Sequence, residues 1–181
     1  VSGNGSNLQA ILDACAAGEL NATVAAVVSN KRDAYGLERA RLAGVPAIAR
    51  PPPLSQPREQ YDAELADLVA SYGPDLVVLA GWMRVLGNAF LTRFPGQVVN
   101  LHPALPGCFP GTDAIARAFD EHVANGLRDT GVMVHFVPDE GVDSGPLIAV
   151  ERVPILPDDT LDALTARMHA VEHRLLVAAL K

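Results

Sequence analysis

The sequence predicts an α/β protein built on a doubly wound open sheet, mostly parallel in its N-terminal part and mixed in its C-terminal part. Three observations predict it. Short apolar runs alternate with helical segments through the first half of the chain, as in successive strand-helix-strand units. One run, Leu76 to Ala80, is apolar without interruption, the pattern of a parallel strand buried on both faces. Late in the chain the alternation stops, and Gly131 to Val137 and Leu147 to Pro154 are joined by a loop instead of a helix.

Each element has its own signal. Val1 to Ser6 reads as a strand end plus a glycine loop, followed by a helix from about Asn7 to Ala17 that Gly18 stops. A parallel-sheet protein normally has a strand before such a loop, so several residues of that strand are expected outside this sequence, and the end at Leu180-Lys181 falls inside a helical pattern. Ala22 to Ser29 reads as a buried strand, Tyr35 to Ala43 as a helix ending at Gly44, and Val45 to Ala49 as a short strand stopped by Pro51-Pro52-Pro53. Arg58 to Tyr72 carries Leu65, Leu68 and Val69 at helical spacing and ends at Gly73-Pro74. After the Leu76 to Ala80 strand come a helix around Asn88 to Phe94, a strand from Val98 to His102, a long loop to about Gly111 and a helix over Asp113 to Asn125. The last helix, capped near Asp159, carries Leu161, Leu164, Met168, Val171 and Leu175 in three-four alternation. No repeat or linker divides the chain, which reads as one domain over 1–181.

Composition narrows the function classes. A hydrophobic fraction of 49% with 19% charged residues describes a packed domain, not a disordered one. The net charge of −7 and the absence of any basic run argue against nucleic acid and anionic membrane as partners of the surface as a whole, so an anionic substrate needs local donors. Cys15 falls on an apolar helix face and Cys108 in a Pro/Gly loop; two cysteines make neither a disulfide framework nor a metal set. With no apolar run of transmembrane length and no signal peptide, a cytoplasmic address is the default.

Two loops carry ligand signals. Ser2-Gly3-Asn4-Gly5-Ser6-Asn7 lies where backbone N–H groups and the positive end of a helix dipole hold a phosphate. It looks like half a dinucleotide fingerprint, but Leu8 replaces the third glycine, and Ser29-Asn30 ends the next strand where a ribose-binding acid belongs. A phosphomonoester fits better than NAD, with a plain tight turn as the bland alternative. Gly81-Trp82-Met83-Arg84-Val85-Leu86 follows the apolar strand at the carboxyl edge and either lines a slot for a flat heteroaromatic ring or packs on the core.

The sharpest feature is Asn100, His102 and Asp143. Side chains i and i+2 of a strand share a face, so Asn100 and His102 project together while Leu101 points away. A carboxylate beside them favours the imidazolium, leaving two aligned donors for an oxyanion, which suggests acyl-type transfer. Taken singly, the His is a strand-end hydrogen-bonder and the Asn and Asp-Ser-Gly-Pro are turn chemistry.

Ser2-Gly3-Asn4-Gly5-Ser6-Asn7-Leu8-Gln9-Ala10-Ile11, Leu79-Ala80-Gly81-Trp82-Met83-Arg84, Asn100-Leu101-His102-Pro103, Val134-His135-Phe136-Val137 and Asp143-Ser144-Gly145-Pro146 occur in this order along the chain. In order and spacing the set resembles the phosphoribosylglycinamide formyltransferase family, over essentially the whole chain. Methionyl-tRNA formyltransferase and formyltetrahydrofolate deformylase share the Asn-x-His and Asp elements, whereas the glycine loop is similar to the glycinamide ribonucleotide branch.

That resemblance implies a formyltransferase fold with a nucleotide-binding N-terminal part, and 10-formyltetrahydrofolate as co-substrate without a metal. It further implies His102 as general acid/base and electrophile, Asn100 as oxyanion donor and Asp143 as the carboxylate that raises the His pKa. Gly5, Ser6 and Asn7 match the loop that holds the ribonucleotide phosphate; Glu172 matches a contact to the sugar or glycinamide end; Gly81, Pro103 and His169 complete the substrate side. On the folate side, Arg58 matches a residue that meets the glutamate, Met83, Arg84, Val85 and Leu86 the pteridine wall, and Pro138, Asp139 and Glu140 through Asp143 a closing loop that also borders Asn100. Departures from the family pattern are Pro106-Gly107 in place of Leu-Pro, an added Gly141, and His169 where some relatives have Lys. The resulting expectation is formyl transfer to a phosphorylated amine in purine synthesis, with a homodimer as a possible assembly. A formyltransferase acting on another amine, such as a sugar nucleotide, and a non-catalytic nucleotide-binding domain are the alternatives.

Overall fold

The computed structural model describes residues 1–181. Its elements are α1 (Ser6–Ala16), β1 (Val27–Ser29), α2 (Tyr35–Leu42), β2 (Ala47–Ala49), α3 (Arg58–Ala70), β3 (Val77–Leu79), α4 (Asn88–Leu91), β4 (Val98–His102), α5 (Ala114–Asn125), β5 (Asp129–Phe136), β6 (Leu147–Pro154) and α6 (Leu161–Ala179). The order matches the sequence reading throughout. The early strands are shorter than expected: Ala22 to Ala26 lies outside β1, because only Val27–Ser29 pairs with Ala47–Ala49.

The strands form two hydrogen-bonded groups. β1 and β2 pair in parallel, and the second group runs β3-β4-β5-β6, parallel at β3/β4 and antiparallel thereafter. Val1 and Ser2 tie the groups together: the Val1 amino group donates to Val28 O at 2.9 Å, and Ser2 N to Gly81 O at 2.9 Å. Between β1 and β3 lies a cleft of about 840 Å³, separate from the catalytic candidates on β4.

Helices cover both faces. Leu101, Val132, Val134 and Val153 of the sheet pack on Leu164, Met168 and Leu176 of α6. Leu8 and Leu12 of α1 meet Leu37 and Ala40 of α2, and Tyr61 and Leu65 of α3 meet Phe90, Phe94 and Val98. Burial of large side chains at about 1.5–3 kcal/mol each makes these contacts, not the short strand ladders, the main support of the fold. Cys15 packs partly buried against the first cluster and Cys108 is exposed.

Two local readings change. The cap of α6 is Thr160, whose Oγ1 accepts from Ala163 N at 3.1 Å. Asp159 instead accepts from Leu156 N and pairs with Arg167, which holds its carboxyl down at about 2. Leu161, one turn too early for the core, is exposed.

Candidate active site

β4 carries the centre of the site. Its alternation puts Asn100 and His102 on one face, with His102 buried. Antiparallel register sets His135 of β5 opposite Asn100. Asp143 arrives from the loop before β6 in the left-handed region, φ 51, a conformation Asp tolerates better than most residues. The carboxylate then serves four neighbours: Oδ1 lies 3.0 Å from Asn100 Nδ2 and 3.6 Å from His135 Nε2, and Oδ2 lies 3.3 Å from His102 Nδ1 and 2.8 Å from Gly111 N. The structure thus brings Asn100, His102 and Asp143 together.

The hydrogen bonds constrain the tautomer of His135 and the orientation of the Asn100 amide. His135 Nδ1 sits 2.8 Å from the Phe136 carbonyl, which can only accept, so a neutral His135 keeps its proton there and offers Nε2 as an acceptor. Asn100 Nδ2 lies 3.2 Å from that Nε2, so its two hydrogens go to His135 and Asp143. This assigns the amide orientation, since the flipped form would set two acceptors against each other. The expected pair of free, aligned donors is therefore modified: Asn100 has both hydrogens engaged within the protein.

Asp143 raises the His102 pKa as expected, but the net shift is downward. Burial lowers its pKa below the ordinary 6.5 and outweighs Asp143 and the Phe109 carbonyl, both of which push it up. His102 Nε2 lies 3.0 Å from that carbonyl. In Asp143 burial raises the pKa, but His135, the Gly111 amide and His102 together bring it below the usual carboxylate value. A neutral, buried imidazole facing a charged carboxylate is poised to gain a proton and then be held as a cation.

A cavity of about 200 Å³ opens beside this group. Gly81, Met83, Arg84, Val85, Leu86 and Pro103 line it, as do Asp139, Gly141 and Asp143 from the opposite loop. Apolar walls from Leu79, Trp82 and Val142, with a few carboxylates and imidazoles, suit a flat heteroaromatic ring with polar edges. Pro138 and Glu140 lie outside the lining. Arg58 does too: its guanidinium pairs with Glu140 at 3.2 Å and with buried Asp62 at 3.5 Å, and Asp62 accepts from Gly87 N at 2.8 Å. Arg58 and Glu140 thereby tie α3 to the 138–143 loop. The structure contains no group of three or more His, Cys, Asp and Glu arranged to hold a metal ion.

The glycine loop forms a second polar site next to the first, joined by Met83 N donating to Ser2 Oγ at 2.8 Å. Gly5 caps α1 at φ 76, and the first helical bond runs from Gln9 N to Gly5 O. The amides of Asn4, Gly5, Ser6 and Asn7 have no acceptor in the protein, a concave set of donors at the positive end of a helix. Asn7 Nδ2 donates to buried Glu172 Oε2 at 2.6 Å, and its Oδ1 is buried without a partner. His169 stacks on His173 one turn along α6, 6.3 Å between ring centroids.

Sequence reasoning gave no role to His135, Asp62 or Arg39. His135 had a signal, because it stands within a quoted strand motif, but only the register sets it opposite Asn100. Pro106-Gly107 has a local cause: Cys108 N donates to Leu105 O at 2.9 Å, and Gly107 at φ 76 supplies the positive φ that a type II turn needs.

An α/β sheet with an amide-imidazole-carboxylate group at its carboxyl edge, between a loop of unpaired amides and a small cavity, is an arrangement suited to a group-transfer enzyme. The chain belongs to the formyl transferase family, whose pattern it matches over residues 1–180. It is 43% identical over 194 residues to the phosphoribosylglycinamide formyltransferase of Dictyostelium discoideum, covering 100% of this chain and 94% of that one. It is 46% identical to the phosphoribosylglycinamide formyltransferase of Escherichia coli, over 96% of this chain and 79% of the relative. Among solved structures, glycinamide ribonucleotide transformylase 1 from Symbiobacterium toebii superposes with a TM-score of 0.93 at 46% identity, covering 99% of this chain and 82% of that one.

Proposed function

We propose that this chain transfers the formyl group of 10-formyltetrahydrofolate to the amino group of 5'-phosphoribosylglycinamide, a step of purine synthesis. The observation that carries the reading is the meeting of Asn100, His102 and Asp143 between the amide-lined loop and the small cavity. The resemblance supplies the ligands: the phosphate on Gly5, Ser6 and Asn7, the sugar or glycinamide end toward Glu172, His169, Gly81 and Pro103, and the folate ring against Met83 to Leu86 and the 138–143 loop.

When bound, the folate supplies an activated formyl carbon for the substrate amine. The chain's own work is to manage charge. His102, its pKa lowered by burial, donates Nδ1–H toward Asp143 Oδ2 and so leaves Nε2 to accept the proton that the amine loses. Once protonated, Nε2–H, which faces the Phe109 carbonyl in the free protein, is the donor available to the oxygen on which negative charge develops. Asn100 contributes by releasing one of its two bonds to His135 and Asp143, and His135, fixed by the Phe136 carbonyl, limits which one. Arg58 meets the folate glutamate by exchanging its Glu140 contact for the ligand.

The reading also comprises a single formyltransferase domain over residues 1–181, a cytoplasmic address and, from the net charge of −7, no nucleic-acid partner. No helix is long and apolar enough to cross a membrane. A homodimer is the assembly to look for by light scattering. The deciding experiment is ribonucleotide-dependent deformylation of 10-formyltetrahydrofolate followed by absorbance. Turnover with an amino-sugar nucleotide but not the glycinamide ribonucleotide would move the chain to another formyltransferase activity, and no turnover with either would make it a binding domain.

A further inference from the structure

The cation nearest the amide-lined loop is Arg39, on α2, and nothing in the catalytic account uses it. Its guanidinium makes three hydrogen bonds into the loop and the helix that follows. Nε donates to Asn4 O at 2.9 Å, Nη2 to Asn4 Oδ1 at 2.9 Å, and Nη1 to Gln9 Oε1 at 3.1 Å. Gln9 is itself oriented, because its Nε2 donates to Asp13 Oδ1 at 2.8 Å and so leaves Oε1 for the arginine. The guanidinium lies over the Tyr35 ring, 4.9 Å from the centroid, which holds it flat.

The same helix fixes the loop from below. Gly36 N donates to Gly3 O at 3.1 Å, and Gly5 passes so near Gly36 that a Cβ on Gly5 would lie 2.7 Å from the Gly36 Cα. The loop is thus held on α2 at Gly3, Asn4 and Gly5, one residue before its donors turn into α1. No carboxylate pairs with Arg39, whose partners are all neutral. A guanidinium without a counterion beside four consecutive unpaired amides presents donors and positive charge together, which suits an anion that the protein does not itself provide.

We infer that Arg39 is the positioning residue of the phosphate loop: its planar fork holds Asn4 and Gln9 so that the amides of Asn4 to Asn7 converge on one phosphate. A lysine at this position keeps the charge but cannot span Asn4 O, Asn4 Oδ1 and Gln9 Oε1 together. The inference rests on the reading of the substrate as a phosphorylated amine and adds the residue that makes the site select for the phosphate.

Arg39→Met, Arg39→Lys, Asn4→Ala and the Arg39→Met/Asn4→Ala double variant form the test. Each is assayed with the glycinamide ribonucleotide, with its dephosphorylated ribonucleoside, and by calorimetry with inorganic phosphate and with a folate analogue. Arg39→Met and Arg39→Lys both raise the ribonucleotide KM about tenfold or more, the size expected when hydrogen bonds to a charged group are misplaced. Neither changes the KM of the dephosphorylated substrate or folate-analogue affinity by more than about twofold. The double variant is no worse than Arg39→Met, because both residues act through one contact.

Full rescue by lysine overturns the inference, since charge alone then suffices. Equal losses with the phosphorylated and dephosphorylated substrates overturn it as well, by pointing to general destabilisation. If the wild-type protein does not turn over the ribonucleotide, the functional reading fails. Phosphate calorimetry on wild type and Arg39→Met still decides the role of Arg39: binding weakened in both Met and Lys variants supports it, and binding equal to wild type refutes it.

Discussion

Replacing Asp143 by Asn removes one charge while changing no heavy-atom count, and the structure says what that costs. The carboxylate lies 3.3 Å from His102 Nδ1. Two unit charges at that separation attract by roughly 1 to 5 kcal/mol for an effective dielectric between bulk water and ~20. The attraction is absent while His102 is neutral and present once it has taken the substrate proton, so it lowers the barrier and not the ground state. The variant is therefore expected to lose roughly one to four powers of ten in kcat with little change in either KM. Asparagine also presents an NH2 group to one side, where the carboxylate accepted from Asn100 Nδ2 and Gly111 N on opposite sides, so one of those donors loses its acceptor.

Asp143 also raises the His102 pKa against the larger downward effect of burial, and removing it lets that pKa fall further. The acidic limb of kcat/KM against pH should therefore move to lower pH in Asp143→Asn, and an NMR titration of the His102 ring should move with it. Turnover within about threefold of wild type, with the limb and the ring titration unmoved, would sink the coupling and leave Asp143 a turn residue.

The remaining predictions address the imidazole, the loop and acid stability. His102→Ala should lower kcat by about two to four powers of ten while calorimetry finds ribonucleotide binding nearly intact; near wild-type turnover removes the imidazole from the mechanism. Gly5→Val must adopt φ 76 with a Cβ 2.7 Å from the Gly36 Cα, so it should raise the ribonucleotide KM steeply while folate-analogue affinity changes little, and equal weakening of both ligands would indicate a folding defect. His102 and His173 both have folded pKa values below 6.5, chiefly through burial. Their contribution to stability is complete above about pH 6.5 and is lost as pH falls through the lowered values, because the unfolded chain binds the protons first. Urea midpoints should accordingly drop between pH 7.5 and 5, and drop less in His173→Gln; identical slopes in the two proteins count against a role for His173.

Much of this architecture is legible in the chain because the signals are local. The strands Val98–His102 and Leu147–Pro154 are found at the bounds that their apolar patterns predict, and the stops at Gly18, Gly44 and Gly73 coincide with positive φ. Strand length is another matter, since it depends on the partner: Ala22 to Ala26 has strand-like composition but no pairing, as β2 offers only Ala47 to Ala49. The cap of α6 shows the same limit at a smaller scale, where Asp159 and Thr160 are both competent and Arg167 captures the carboxylate.

In the site, the pairing of Asn100 with His102 follows from strand period alone. The approach of Asp143 does not: the sequence offers it as a candidate, but only the fold brings its carboxylate to His102 and Asn100. The net effect on His102 is beyond the sequence too, because it is a difference between burial and several neighbours that push the other way, Asp143 foremost, and burial depends on the whole fold. His135 is hidden for a related reason: its place opposite Asn100 is set by the β4/β5 register, a pairing between distant segments that no local pattern reveals.

Backbone strain connects these observations. Three non-glycine residues have positive φ, Phe109, Asp113 and Asp143, and all lie in the two loops that close over the end of β4. For a bulky residue such as Phe109 the left-handed region is costly, and such conformations persist where the surroundings over-determine them. Here Phe109 turns its carbonyl onto His102 Nε2, Asp143 turns its carboxylate onto His102 Nδ1, and Gly111 N clips one loop to the other through Asp143 Oδ2. Both ring nitrogens of the buried imidazole are therefore held by residues in unfavourable backbone conformations. The strain sits around the imidazole proposed to take up the substrate proton, and relaxing either loop would release one of the two contacts that hold the ring.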